Sequence, residues 1–273
     1  MKRHPLVVFF LLAFVLTWFV WGTTLAQQAG LISWHIPQSL AFWLGLPIAS
    51  YGTAALTGGW PAVKDLLLRL IRVVVNPIWY LAALLIPAVL VTIGVLLGQL
   101  FGSPAAVGAA VPVSAVLGLL AFNAWMWLIT EETAWRGFAL PRLQARFNPL
   151  TASLVLGVIW ALWHLPLFFI ADSFQAQIPF IGFFVSTVAT SVLIGWLFNH
   201  AKGSVLIAAL FHAVMDVGIA FSGVMSGSAL LFWMFIAIQV VAAAAVSPNL
   251  ARLTKVERFP LEGSKAVGAP GGV

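Results

Sequence analysis

Six residues of this chain have types and spacings that could do chemistry. Glu131, Glu132 and Arg136 form a cluster, His164 stands four residues after Trp160, and His212 stands four residues before Asp216. On a helix, positions i and i+4 share a face. Glu132 and Arg136 are therefore neighbours, with the acid on the favoured N-terminal side, and so are His212 and Asp216. The Glu132–Arg136 pair can neutralise itself and reads first as a structural ion pair. Glu131 then has no internal partner and is free to act on water. Carboxylates and imidazoles are the usual general acids and bases. They are also the usual ligands of a catalytic zinc, so Glu131, His164, His212 and Asp216 are candidate metal ligands as well. Any one of them alone could equally be a structural hydrogen-bond node.

What makes the set unusual is the solvent it sits in. Of 273 residues, 62% are hydrophobic and 7% charged, where a soluble domain carries about a quarter charged. Such a chain has too little polar surface for water, and the bilayer is its natural solvent. A charge at the centre of a bilayer helix costs from about 2.5 kcal/mol upward, so residues of this kind usually mark function. The net charge of +6 is read as membrane topology and not as affinity for nucleic acid. The absence of cysteine excludes disulfides, thiolate metal sites and a cysteine nucleophile.

The elements that must position these residues are membrane spans. Apolar stretches at residues 6–21, 40–57, 78–100, 117–140, 150–170, 178–198, 205–221 and 230–246 predict an all-α, polytopic bundle of about eight spans. The first run is expected to be a retained span, although its basic start and Thr24-Leu25-Ala26 also fit a signal peptide. With eight spans, all 13 Lys and Arg fall in alternate connections. The positive-inside rule then places both termini in the cytoplasm. Residues 63–74 mix positive charge with Leu, Ile and Val and read as a short amphipathic surface helix. Residues 1–246 form one domain without internal repeats, and 247–273 read as a disordered cytoplasmic tail. The expected location is a cell membrane, as a multi-pass protein, with the cytoplasmic membrane of a prokaryote preferred. Glu131, His164, His212 and Asp216 come out in the middle or cytoplasmic half of three different spans, where one aqueous cavity could satisfy them all. Most of the 13 Trp and 21 Phe read as lipid-facing or packing residues, with Trp160 the exception.

The three groups also carry a resemblance. Glu131-Glu132-Thr133-Ala134-Trp135-Arg136-Gly137 resembles the EExxxR motif, with a following Gly, of the CAAX protease and bacteriocin-processing family of intramembrane proteases. Trp160 with His164 resembles its second motif, and His212 with Asp216 its last. Gly195-Trp196-Leu197-Phe198, Gly203-Ser204 and Ala208-Ala209-Leu210 share the texture that precedes the last motif. The likeness spans about residues 117–218, and the N-terminal third matches only as generic spans. Two departures are visible. Trp160 stands where Phe is common, and Asp216 stands where eukaryotic members have Asn. An acid there binds metal better and donates hydrogen bonds less well.

The resemblance implies an eight-helix protease of the type II CAAX prenyl endopeptidase kind, open to the cytoplasm and acting on membrane-associated peptides. Glu131 would be the general base, with His164 holding the water. His212 and Asp216 would stabilise the oxyanion, and Glu132 and Arg136 would brace the helix or orient the peptide. Metal-free glutamate chemistry and a zinc held by His164, His212 and a carboxylate both remain open. HExxH and a Gly-rich phosphate loop are absent, which excludes a zincin and a P-loop ATPase. The rival readings are a proton-coupled transporter or channel, since buried Glu, His and Asp also serve proton relays, and an inactive membrane scaffold. The transporter reading expects inverted repeats, and none is seen.

Overall fold

The computed structural model describes residues 4–103, 112–225 and 227–253. Among the described residues all regular structure is helical. The main helices are α1 (Pro5–Gln28), α2 (Leu46–Leu70), α3 (Ile78–Leu100), α4 (Val113–Ile129), α5 (Leu140–Gln144), α6 (Pro149–Trp163), α7 (Phe180–His200), α8 (Val205–Ser222) and α9 (Ala229–Arg252). Their ends carry ordinary signals. Asn148 caps α6 by accepting from the Thr151 N–H at 2.8 Å, and Pro149 follows at the first helical position. Ser204 and Ser228 cap α8 and α9. α9 runs on to Arg252, past the boundary read at residue 246. The rest of the expected tail, residues 254–273, lies outside the described residues.

Among the described residues seven helices are long and apolar enough to cross a membrane. The one expected span missing from that set is residues 40–57. That stretch is helical, entered through a π turn at Ala41–Gly45, but α2 kinks at Gly59 (φ 64°, ψ −159°) ahead of Pro61. A positive φ is open to glycine at little cost. The kink divides α2 into a short apolar half and a half bearing Lys64, Asp65 and Arg69. The second half overlaps the amphipathic helix expected at 63–74. It buries Leu66 and Arg69, and Asp65 holds the Arg69 guanidinium at 2.9 Å.

Two basic connections meet at one end of the bundle. The Arg72 guanidinium donates to the Lys202 carbonyl, and the Ser204 hydroxyl donates to the Arg72 carbonyl at 2.7 Å. The turn between α7 and α8 is tight because Lys202 and Gly203 both take positive φ. Elsewhere small residues let helices approach, as in many membrane interfaces. At Gly157 on α6, an added Cβ would lie 2.9 Å from the Val188 backbone of α7. Close by, the Ser191 hydroxyl donates across to the Ser153 carbonyl at 2.9 Å. α1 is integral to the bundle. Its Trp18 indole donates to the Trp163 carbonyl at 2.9 Å, and Trp21 packs on Trp163 with ring centroids 4.9 Å apart.

Candidate active site

The first motif does not lie on a continuous α-helix, as a single span over 117–140 would require. α4 stops at Ile129, Thr130 leaves the helical region (φ −110°, ψ −92°), and Thr133–Ala139 form a π-helix. π turns insert a residue into the helical repeat and recur at functional sites. Side chains accommodate the break. Thr130 donates to the Met126 carbonyl at 2.6 Å, and Thr133 donates to that of Leu128. Every residue from Thr130 to Leu140 is buried, whereas a lone span would show one face to lipid. Gly137 is part of that enclosure, because an added Cβ would lie 2.7 Å from the Leu66 side chain of α2.

Glu131 is 2% exposed. Its Oε2 accepts two indole N–H groups, from Trp160 at 2.6 Å and Trp135 at 3.2 Å. It therefore has partners, contrary to expectation, but on one oxygen only, and the side chain lines a cavity of about 360 Å³. His164, at the end of α6, lines the same cavity. Its own N–H bonds the Ala161 carbonyl at 3.2 Å, which releases the Trp160 carbonyl to the ring Nδ1 at 2.9 Å. A carbonyl only accepts, so Nδ1 carries the proton and Nε2 is left as an acceptor. Pro166 contributes by lacking an N–H. The Trp163 carbonyl, three residues before it, is taken by the Trp18 indole instead.

Glu132 and Arg136 lie behind this wall, both fully buried and absent from the cavity lining. Glu132 Oε1 meets Arg136 Nη1 at 2.8 Å and His212 Nδ1 at 2.8 Å. The Arg136 guanidinium also lies 4.4 Å from the centre of the Trp160 ring, a cation–π contact. His212 joins the two sides. Its Nδ1 donates to Glu132, while its Nε2 faces Asp216 Oδ2 at 3.4 Å. Asp216 is the most open member of the set, its side chain 38% exposed. Trp127 stacks on His212 at 4.8 Å with planes 12° apart, and Trp160 meets His212 edge-on at 5.2 Å.

All six residues singled out in the sequence are thus brought to one place, in two layers. Among the described residues no three His, Cys, Asp or Glu side chains are placed to hold one metal ion. The reason is local. Both imidazole Nδ1 atoms are committed, His212 Nε2 is turned to Asp216, and one oxygen of Glu131 is filled by indoles. The candidate zinc ligands do not converge in this arrangement. Sequence reasoning missed Trp127 and Trp135, which it treated as packing. Each stands four residues from Glu131, and that spacing was the available signal.

Comparison with known proteins agrees with the motif reading. Residues 112–218 match the family model described as type II CAAX prenyl endopeptidase Rce1-like. A protein named CAAX prenyl protease 2 from Methanococcus maripaludis is 33% identical over 93 residues, covering 32% of this chain and 34% of that protein. The chain thus spans about a third of the length of that curated relative. The matched segment runs from the start of α4 to Gly218 on α8. It holds all three motifs and bears out the resemblance over that part of the molecule.

Proposed function

We propose that this chain is an intramembrane endopeptidase that hydrolyses peptide bonds of membrane-associated peptides with a water activated by Glu131. The observation that carries the reading is the pair of acceptors on one buried cavity. Glu131 keeps one carboxylate oxygen clear of the indoles, and His164, its Nδ1 held by the Trp160 carbonyl, has Nε2 as the acceptor of its neutral ring. A water between them gives one proton toward Glu131 and is oriented through its other hydrogen by His164. Its oxygen forms a bond to the scissile carbonyl carbon, and the C=O π electrons move to oxygen. His212 faces acceptors at both nitrogens and is placed to act as a donor at both. The long 3.4 Å contact from Nε2 to Asp216 can be exchanged for the developing oxyanion, where such donors stabilise charge most. The C–N bond then breaks, and the proton held by Glu131 passes to the leaving amine.

Glu132 and Arg136 serve this site from behind by holding His212 Nδ1 and the Trp160 ring. The apolar walls around the acids suit peptides that reach the site from the bilayer. The alternation of Lys and Arg along the chain supports a site open to the cytoplasm, and the location we assign is the cytoplasmic membrane of a prokaryote. The direct test mixes purified protein in detergent with membrane-derived peptides and reads new termini by mass spectrometry. Wild type should generate them and Glu131→Gln should not. Equal cleavage by both proteins would rule out Glu131 as the base.

A further inference from the structure

The same cavity has polar groups that the mechanism above does not use. α7 contributes Ser186, Thr187 and Thr190, and α9 contributes Gln239. Thr190 lies one turn on from Ser186 and Thr187, at i+4 and i+3, and all three side chains line the cavity. All four are more than nine-tenths buried within the protein. Gln239 lies beyond the segment matched by the family model.

Their hydrogen bonding is incomplete in a specific way. The Ser186 hydroxyl donates to Gln239 Oε1 at 2.6 Å. The Gln239 amide reaches only the Met215 thioether, at 3.8 Å, and a thioether is a weak acceptor. Thr57, Thr92 and Thr130 each donate to the carbonyl four residues back, at 2.7, 2.8 and 2.6 Å. Among the described residues Thr187 and Thr190 make no such bond, and neither do the buried hydroxyls of Thr17, Thr24 and Thr53, but of these five only Thr187 and Thr190 line the cavity. A buried hydroxyl that leaves its own helix unbonded is available to a ligand.

Charge narrows the ligand. The ionisable residues lining the cavity are Glu131, His164, His212 and Asp216, with no Lys or Arg. The nearby Arg136 is sealed behind Glu132. A free carboxylate entering here meets two acids, and the one cationic donor in the lining, His212, already has Glu132 and Asp216 at its two nitrogens. Hydroxyls and a carboxamide both donate and accept, so they match uncharged amides. An extended peptide inside a membrane needs such partners, because its N–H and C=O groups have no water there.

We infer that Thr187, Thr190 and Gln239, supported by Ser186, form a subsite for the main-chain amides of an extended, internal stretch of substrate, and that the cavity does not read a free C-terminal carboxylate. The identity of the bound segment as substrate rests on the protease reading, whereas its binding does not.

Binding is therefore tested in the Glu131→Gln background, which holds a peptide without turning it over. The probe is a short, N-acetylated and C-amidated peptide of alternating Leu and Ala, titrated into full-length protein in detergent and followed by tryptophan fluorescence. Thr187→Val with Thr190→Val keeps shape and should weaken binding about tenfold, the loss expected for two hydrogen bonds. Thr187→Ser with Thr190→Ser should restore it. The same peptide with a free C-terminal carboxylate should bind no more tightly. Unchanged affinity in the valine variant, tighter binding of the free acid, or no binding of either peptide would each overturn the subsite. Hydroxyl-dependent binding in a protein whose wild type cleaves nothing would instead sink the protease reading and leave the subsite standing.

Discussion

Glu131 and Glu132 are adjacent in sequence and equally hidden from bulk solvent, yet they live in two different regions. Glu131 belongs to the cavity side, with His164 and Asp216, where one oxygen is fixed by indoles and the rest faces open space. Glu132 belongs to the sealed side, where Arg136 and His212 share a single oxygen. The sealed side keeps loose ends. Glu132 Oε2 and Arg136 Nε and Nη2 are buried without hydrogen-bond partners. A buried ion pair with unmet groups is poor evidence for stability in itself. Its use here is positional, since it holds His212 from behind while the cavity side stays free to react. The difference teaches that burial alone does not assign a role to an ionisable residue, and that the side of the wall it faces does.

That contrast is broken most directly at Glu131. Glu131→Gln keeps the shape and can still accept from the indoles, but it loses the base. Turnover should fall by at least about 10²–10⁴-fold, with the thermal unfolding midpoint close to wild type. Peptide cleavage and thermal unfolding on the same purified protein check this. A variant that cleaves at the wild-type rate would erase the distinction between the two glutamates.

The sealed side should respond in the opposite sense. Arg136→Ala leaves Glu132 with only His212 for company and should cost about 3–5 kcal/mol of stability, the usual penalty for breaking a buried pair. Arg136→Ala combined with Glu132→Gln should recover part of that loss, because the orphaned charge is gone. Thermal unfolding of the two single variants and the double variant measures the coupling. Strictly additive losses would show that the pair does not act as a unit.

Trp160 spans both regions. Its indole holds Glu131, its carbonyl sets the His164 tautomer, and its ring underlies Arg136. Trp160→Phe retains the carbonyl and an aromatic face but removes the N–H. Loss of one hydrogen bond to a charged group should lower kcat/KM by roughly 10–100-fold, with a smaller effect on unfolding than Arg136→Ala. An unchanged kcat/KM would mean that the Trp135 indole alone suffices to fix Glu131.

The six reactive residues were legible in the sequence because ionisable groups are conspicuous in a chain that is 7% charged. Their i, i+4 spacings also carried the Glu132–Arg136 and His212–Asp216 contacts. The all-helical architecture followed from the apolar runs. The π-helix at Thr133–Ala139 was not legible, because a change of hydrogen-bond register leaves no mark on composition. Trp127 and Trp135 were hidden by abundance, one indole in an aromatic-rich chain looking much like another. Thr187 and Thr190 were hidden for a related reason. A threonine on an apolar helix normally bonds its own backbone, and only the structure shows that these two do not.

The last distinction concerns α2, whose second half closes the sealed side by laying Leu66 against Gly137. Whether its first half also crosses the membrane decides what kind of closure this is. Eight crossings give the clean alternation of Lys and Arg, yet Gly59 and Pro61 leave α2 only a short apolar stretch, and among the described residues seven helices meet the length and composition of a span. Single cysteines settle it without touching the site. Leu31 is 77% exposed in the connection before α2, and Val74 is 90% exposed in the connection after it. The chain has no native cysteine, so each can be labelled alone with an impermeant maleimide in intact cells. If α2 crosses, one of the two positions labels before permeabilisation and the other only after it. If α2 folds back, both behave alike, the positive-inside pattern loses its alternation, and the helix is a plug seated from one face. Cleavage should be unaffected in either variant, because both residues lie outside the cavity lining. The expected result is opposite labelling, since only with α2 crossing do all 13 Lys and Arg fall in alternate connections.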